Sequence, residues 1–171
     1  MPGAPEICVI NIYIMNNLII DQILLTVAVL TAGIVYGTDG FHAIAGKKAL
    51  SKSKDSSIAD VVGHTHYVAD KRMPVIGITS LISTALFILI NRTNTVLVIL
   101  SGTALTMLLA HLALYLTIAK PVNTQMTAAA IDGIVPSNIR ELQKRWDSAI
   151  FYRAAFLTLA MLSLLLAAMN L

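Results

Sequence analysis

Charge is what this chain of 171 residues has least of: Asp, Glu, Lys and Arg together make up 12%, against about 25% in ordinary soluble domains. Too few polar side chains remain to coat a water-facing surface, so a soluble domain is not expected. Cysteine occurs once, at Cys8, which excludes an internal disulfide and a thiolate metal cage. Aromatic residues are only 6% and are not interleaved with basic ones. The formal charge of +3 and pI near 9.1 therefore do not point to nucleic acid, and loop orientation in a membrane explains them more simply. No basic residue precedes Lys47, so a cleavable secretory signal with its charged leading region is not expected.

What the chain has in quantity is apolar sequence: 57% of residues are hydrophobic and the mean hydropathy is +0.78. A helix rising 1.5 Å per residue needs about 20 apolar residues to cross a hydrocarbon layer of roughly 30 Å. Four such spans are expected, at about 19–45, 74–90, 95–119 and 146–170, in a single domain covering 1–171. Pro74 suits the first turn of the second span, where its missing N–H would be unpaired anyway. The link Asn91-Arg92-Thr93-Asn94 has room only for a tight turn between antiparallel neighbours. Met1 to Met15, broken by Pro2, Gly3, Pro5, Glu6 and Asn11, reads as an apolar tail, with Met15 an alternative start.

Lys47, Lys48, Lys52, Lys54, Lys71 and Arg72 fall between the first two spans, and Lys120, Arg140, Lys144 and Arg145 between the last two. The positive-inside rule then predicts loops 46–73 and 120–145 in the cytoplasm and both termini outside. Within the first loop, Ile58, Val61, Val62 and Val68 recur at near-helical spacing, which predicts an amphipathic interfacial helix between spans one and two. The expected fold is all-α: a four-transmembrane-helix bundle, up-down-up-down, with the lipid bilayer as its solvent.

Ionisable residues inside a span are costly and mark function by default. His111 lies about 12 to 14 Å in from the cytoplasmic end of the third span, and Arg153 about 10 Å in on the fourth. On the first span, Tyr36, Asp39 and His42 step by three residues and stay within an arc of about 120°. Asp39 and Arg153 can neutralise one another as a buried pair, leaving His111 to bond Tyr115 or a backbone carbonyl. Gly33, Gly37 and Gly40 form a second arc that would let a neighbouring backbone approach, within the chain or across a homo-oligomer interface.

His64 and His66 stand in Gly63-His64-Thr65-His66-Tyr67. If the segment is extended, both imidazoles point the same way and can bind one ion. If it is helical they diverge by about 200°, with His66 beside Asp70 and His64 beside Asp60. Copper or iron, non-haem or as haem, held by His42, His64, His66 or His111, is the cofactor this pattern suggests. At least two of these histidines are expected to converge.

At the third-span exit the chain reads Lys120-Pro121-Val122-Asn123, and farther on Leu142-Gln143-Lys144-Arg145-Trp146-Asp147 and Tyr152-Arg153. Together with the glycine-bearing first helix, these motifs resemble the anthrone-oxygenase-like family of small four-helix membrane proteins. Asn123, Trp146 and Arg153 match the family's pattern. The resemblance implies a membrane-embedded oxygenase that oxidises a methylene carbon of a lipophilic aromatic substrate to a carbonyl with dioxygen.

The residue chemistry is compatible with this. His111 or His42 can act as base, with Arg153 stabilising an enolate oxygen. Asp39 and Tyr115 complete the expected catalytic group, and Tyr36, Asn123, Trp146 and Tyr152 the expected substrate contacts, the aromatic rings lining a flat apolar pocket. The reading outside enzymology is a membrane adaptor or small transporter subunit whose polar cluster sets helix register or a solute path. Hydrogen bonds between membrane helices contribute only about 0.6 kcal/mol on average, too little for register alone to account for so many polar groups.

Overall fold

Apolar runs with few breakers fold as helices because a helix satisfies every interior N–H and C=O from within the segment. In the computed structural model, which describes the backbone of residues 4–171 and side chains from Leu18 onward, that principle governs almost the whole chain. Helix α1 (Ala4–Phe41) passes through a π-helical turn, His42–Gly46, into α2 (Lys47–Lys52). A short α3 (Asp55–Ser57) and a second π turn, Ile58–Val62, lead into α4 (Gly63–Ile90). Helix α5 (Thr95–Leu114) continues through a third π turn, Tyr115–Ala119, into α6 (Lys120–Ile131), and α7 (Ile139–Ser148) stacks on α8 (Ile150–Ala168). There is no strand among the described residues. Four helical stretches, Leu18–Lys52, Asp55–Ile90, Thr95–Ile131 and Ile139–Ala168, are long and apolar enough to cross a membrane.

The breaks have local causes. Ser53 and Lys54 adopt extended backbone angles and separate the first stretch from the second. Asn94 caps α5, its side chain accepting from the Leu97 N–H, which satisfies one of the donors a helix start leaves open. Helix α6 ends at Gly133, with φ of 66°. There the Ile134 N–H reaches the Ala129 carbonyl at 2.9 Å and the Gly133 N–H the Ala130 carbonyl at 3.2 Å, a Schellman ending that needs the left-handed glycine.

Several expected boundaries move. The expected tail is helical from Ala4, and Met1 to Gly3 lie outside the described residues. The segment 58–73 does not form a separate interfacial helix: α4 runs unbroken through Pro74. Residues 120–131, expected in a loop, extend the third stretch as α6. The reason is tertiary. Ile58, Ala59, Ala119, Val122, Met126, Ile139, Leu142, Trp146 and Ile150 form a buried cluster of their own, so the ends beyond the expected spans fold into a helical head with its own core. A Cβ on Gly63 would lie 2.5 Å from both the Ala130 Cβ and the Met126 carbonyl oxygen, and only glycine allows α4 and α6 to approach so closely.

Below the head, α1 packs on α4 and α8, and α5 on α8 and α4. Two further clusters fill the interior, one around Ala32, Leu108 and Leu157, the other around Leu25, Phe87, Leu97 and Leu164. The Gly33, Gly37 and Gly40 arc admits no neighbouring backbone within the chain. A Cβ at Gly33 would meet only the Met161 side chain at 3.6 Å, one at Gly37 nothing within 4 Å, and one at Gly40 only the Tyr36 ring.

Candidate functional site

Where the head meets the bundle, polar side chains from all four stretches turn inward around a cavity of about 800 Å³. That size lies within the roughly 300–1,000 Å³ of small-molecule sites. Its walls are mainly apolar, including Leu81, Leu108, Leu112 and Leu157, and its head end carries Asp39, His42, His66, Asp70, His111, Tyr115, Asn123, Gln143, Trp146 and Arg153.

Asp39, 4% exposed, is the hub. Its Oδ1 accepts from Arg153 Nη2 at 2.9 Å and its Oδ2 lies 2.9 Å from His111 Nε2. Arg153 turns inward, where its charge is paired with Asp39, as a buried guanidinium requires. His111 bonds neither Tyr115 nor a carbonyl through this nitrogen. Tyr115 instead donates to Asp70 Oδ1 at 3.0 Å, and Asn123 Nδ2 donates to the same oxygen at 2.8 Å.

A second carboxylate, Asp147 on α7, meets His42 Nε2 at 2.9 Å and takes a bond from Gln143 at 3.0 Å. Gly46 makes room for this histidine, since a Cβ there would fall 2.6 Å from His42 Nδ1. Trp146 ties the groups together. Its ring lies 4.4 Å from that of His42, edge-on, and 5.7 Å from that of His66, with the Arg153 guanidinium carbon 5.2 Å from its centroid. Two of the three π turns begin at cavity residues, His42 and Tyr115. Such turns concentrate at functional sites because they re-aim side chains within an otherwise regular helix.

The cluster is incompletely satisfied. Arg153 Nε and Nη1, Trp146 Nε1, His66 Nε2, Asn123 Oδ1 and Gln143 Oε1 are buried and have no hydrogen-bond partner among the described residues. An unmet buried polar atom costs about 1–3 kcal/mol. The six atoms lie on residues that line one cavity, and each calls for a partner.

The expected catalytic residues Asp39, His111, Tyr115 and Arg153 all line the cavity, as do Asn123 and Trp146. Tyr36 and Tyr152 do not. Tyr36 packs against the core around Leu108 and Leu157. Tyr152 is 64% exposed, because one residue along α8 is a rotation of about 100° away from buried Arg153.

The four-histidine metal set also needs correction. Residues 63–67 are helical, so His64 and His66 diverge. The His64 side chain, 55% exposed, sits 3.5 Å from Asp60 on the outer face, while His66 is buried. His42 and His111 each direct Nε2 at a carboxylate rather than at another imidazole. Among the described residues no three His, Cys, Asp or Glu side chains are grouped to hold an ion. The donor set therefore does not fit a copper or non-haem iron centre with three protein ligands.

Asp147 and Gln143 line the cluster with no role in the sequence reading, and Asp70 enters that reading only as the helical neighbour of His66. The available signals were Asp70 one helical turn from His66, and Asp147 and Gln143 within the Trp146 motif. No family model matches the chain, and no curated protein and no solved structure matches it.

Proposed function

We propose that the chain is a membrane-embedded oxidoreductase of the oxygenase class, acting on a small lipophilic aromatic ketone bound in the cavity. Its four long helices cross the bilayer up-down-up-down, with the Lys- and Arg-rich head on the cytoplasmic side. Many large apolar side chains on the outer faces, among them Ile23, Leu30, Val75, Leu89, Ile99 and Leu162, are exposed and are suited to lipid. The observation that carries the reading is the set of unmet donors, Arg153 Nε and Nη1 and Trp146 Nε1, at the polar end of an otherwise apolar cavity.

A carbonyl oxygen received by these donors gains negative charge when the methylene conjugated with it through the aromatic rings loses a proton, and a preorganised cation stabilises that charge without reorganisation. The enolate then reduces dioxygen. Overall one methylene and one O2 give one carbonyl and one water: the carbon loses two hydrogens and gains one oxygen, and the second oxygen leaves as water. Asp39 holds Arg153 in place through one oxygen and His111 through the other.

Oxygen uptake by the purified protein in lipid nanodiscs, supplied with a tricyclic aryl ketone bearing an acidic methylene, tests the proposal. Uptake should match quinone formed one for one, and Arg153→Gln should lower kcat/KM by about 10²-fold or more, as expected for removing an oxyanion donor. No uptake above protein-free vesicles would favour the adaptor reading.

A further inference from the structure

Among the three cavity histidines, His66 differs. His42 Nε2 faces Asp147 and His111 Nε2 faces Asp39, whereas His66 is 7% exposed and its Nε2 has no partner. It lies against the same indole as Arg153, with ring centroids 5.7 Å apart on its side and the guanidinium carbon 5.2 Å from that indole on the other residue's account. The unmatched nitrogen and the unmatched donors of Trp146 and Arg153 thus share one cavity end.

We propose that His66 Nε2 takes the acidic proton of the bound substrate while Trp146 Nε1 and Arg153 Nε and Nη1 receive the resulting oxyanion. The substrate class is a neutral, lipophilic oxygen acid: a phenol or an enolisable aryl ketone. The C–H or O–H bond breaks, an N–H bond forms on His66, and the electron pair stays on the substrate, its charge on the oxygen. No oxidant is consumed in this step. A general base must reach the proton it removes, and the Nε2 atoms of His42 and His111 are occupied by carboxylates whereas that of His66 has no partner among the described residues. The groups facing His66 are Asp70 on its own helix, His42 from the first stretch and Arg153 from α8, with Tyr115 bonded to Asp70. Asp70 is one helical turn away, placed to stabilise the imidazolium that forms.

The inference rests on reading the cavity as a substrate site, but not on the oxidation. The probe is a hydroxyanthraquinone dye whose neutral and phenolate forms differ in colour, added to the protein in nanodiscs at a pH where the free dye is neutral. Bound to the wild-type protein, the dye should show the phenolate spectrum with no net proton release, counted by calorimetry in buffers of different ionisation enthalpy. Dye bound to His66→Gln should stay neutral, or ionise only with release of one proton to buffer; His64→Gln should behave as wild type. A wild-type complex that holds the dye neutral, or releases a full proton on ionising it, overturns the role of His66 without any variant having to fold. Phenolate without proton release in His66→Gln would also overturn it. Absence of any dye binding to wild type would remove the substrate-site reading, and this proposal with it.

Discussion

The half of the bundle around Phe87 and the half around Asp39 are made from the same four apolar stretches, and they differ in how fully their buried polar groups are partnered. Around Phe87 the buried hydroxyls are small and return to backbone. Ser80 donates to the Ala28 carbonyl at 3.0 Å, Thr84 to the Ser80 carbonyl at 2.8 Å, and Ser101 to that of Leu97. The Thr84 and Ser101 bonds stay within a helix, the Ser80 bond joins α4 to α1, and the buried carboxylate of Asp21 at this end is met by Asn91 Nδ2, so these groups are partnered and the interior is packed. Around Asp39, ionisable groups bridge separate stretches, a cavity stands open, and donors and acceptors remain unmet. A membrane protein that needs only assembly can use the first solution throughout, because lipid-facing helices associate by packing and small polar contacts. The Asp39 end departs from it, and clefts where ionisable groups gather with unmet partners are the setting in which functional sites are found.

The largest expected effect falls on the hub. Asp39→Ala strands a buried guanidinium and removes the partner of His111, and breaking a buried ion pair from one side costs about 3–5 kcal/mol. Reversible denaturation in mixed micelles should register a loss of that size. Stability close to wild type would break the comparison, since Asp39 would then be no more structural than a surface carboxylate.

Phe87→Ala comes next. Its ring is fully buried, but lipid tails are as apolar as the interior, so the transfer term is small and the cavity term remains. At about 24 cal/mol per Å³, a residual void of roughly 100 Å³ costs about 2 kcal/mol. The same denaturation should show this loss while affinity for the dye stays within about twofold, since Phe87 does not line the cavity. A large change in dye affinity would mean that the two halves are coupled rather than separate.

The four apolar stretches were legible because composition and run length mark helices long and apolar enough to cross a bilayer. The inward aim of Arg153 and its reach to Asp39 were legible for the same reason, as an unpaired charge at that depth is untenable. The head was not. Its helices carry Lys, Ser and Asp, and their continuity past Pro74 and Ala119 depends on burial of Ile58, Ala59 and Met126 against partners far along the chain. Spacing arithmetic also fails where π turns begin at His42 and Tyr115, because 100° per residue no longer holds there. His64 and His66 could be read as extended or helical, and only the fold decides. Asp21, which falls inside the expected first span, was not singled out, yet it is buried and accepts from Asn91 Nδ2 at 2.7 Å. Its partner lies 70 positions away, beyond any local pattern.

The smallest effect on stability and the finest test of the comparison lie at Gly77. It sits on α4 among the cavity-lining residues, and a Cβ built there meets nothing within 4 Å. Gly77→Ala should therefore change stability by no more than about 0.5 kcal/mol, the range for substitutions that disturb no packing. Gly77→Leu should cost little more, because its side chain enters space that is already open rather than displacing a neighbour. In the Phe87 half an added side chain of that size would be overpacking, with a cost of about 1–3 kcal/mol. The ligand should feel the change that the fold does not, with Gly77→Leu weakening dye binding at least tenfold by occupying its volume. Equal dye affinity in Gly77→Leu and wild type would place the ligand wholly at the polar end, between Trp146 and Tyr115, and would assign the apolar part of the cavity to lipid.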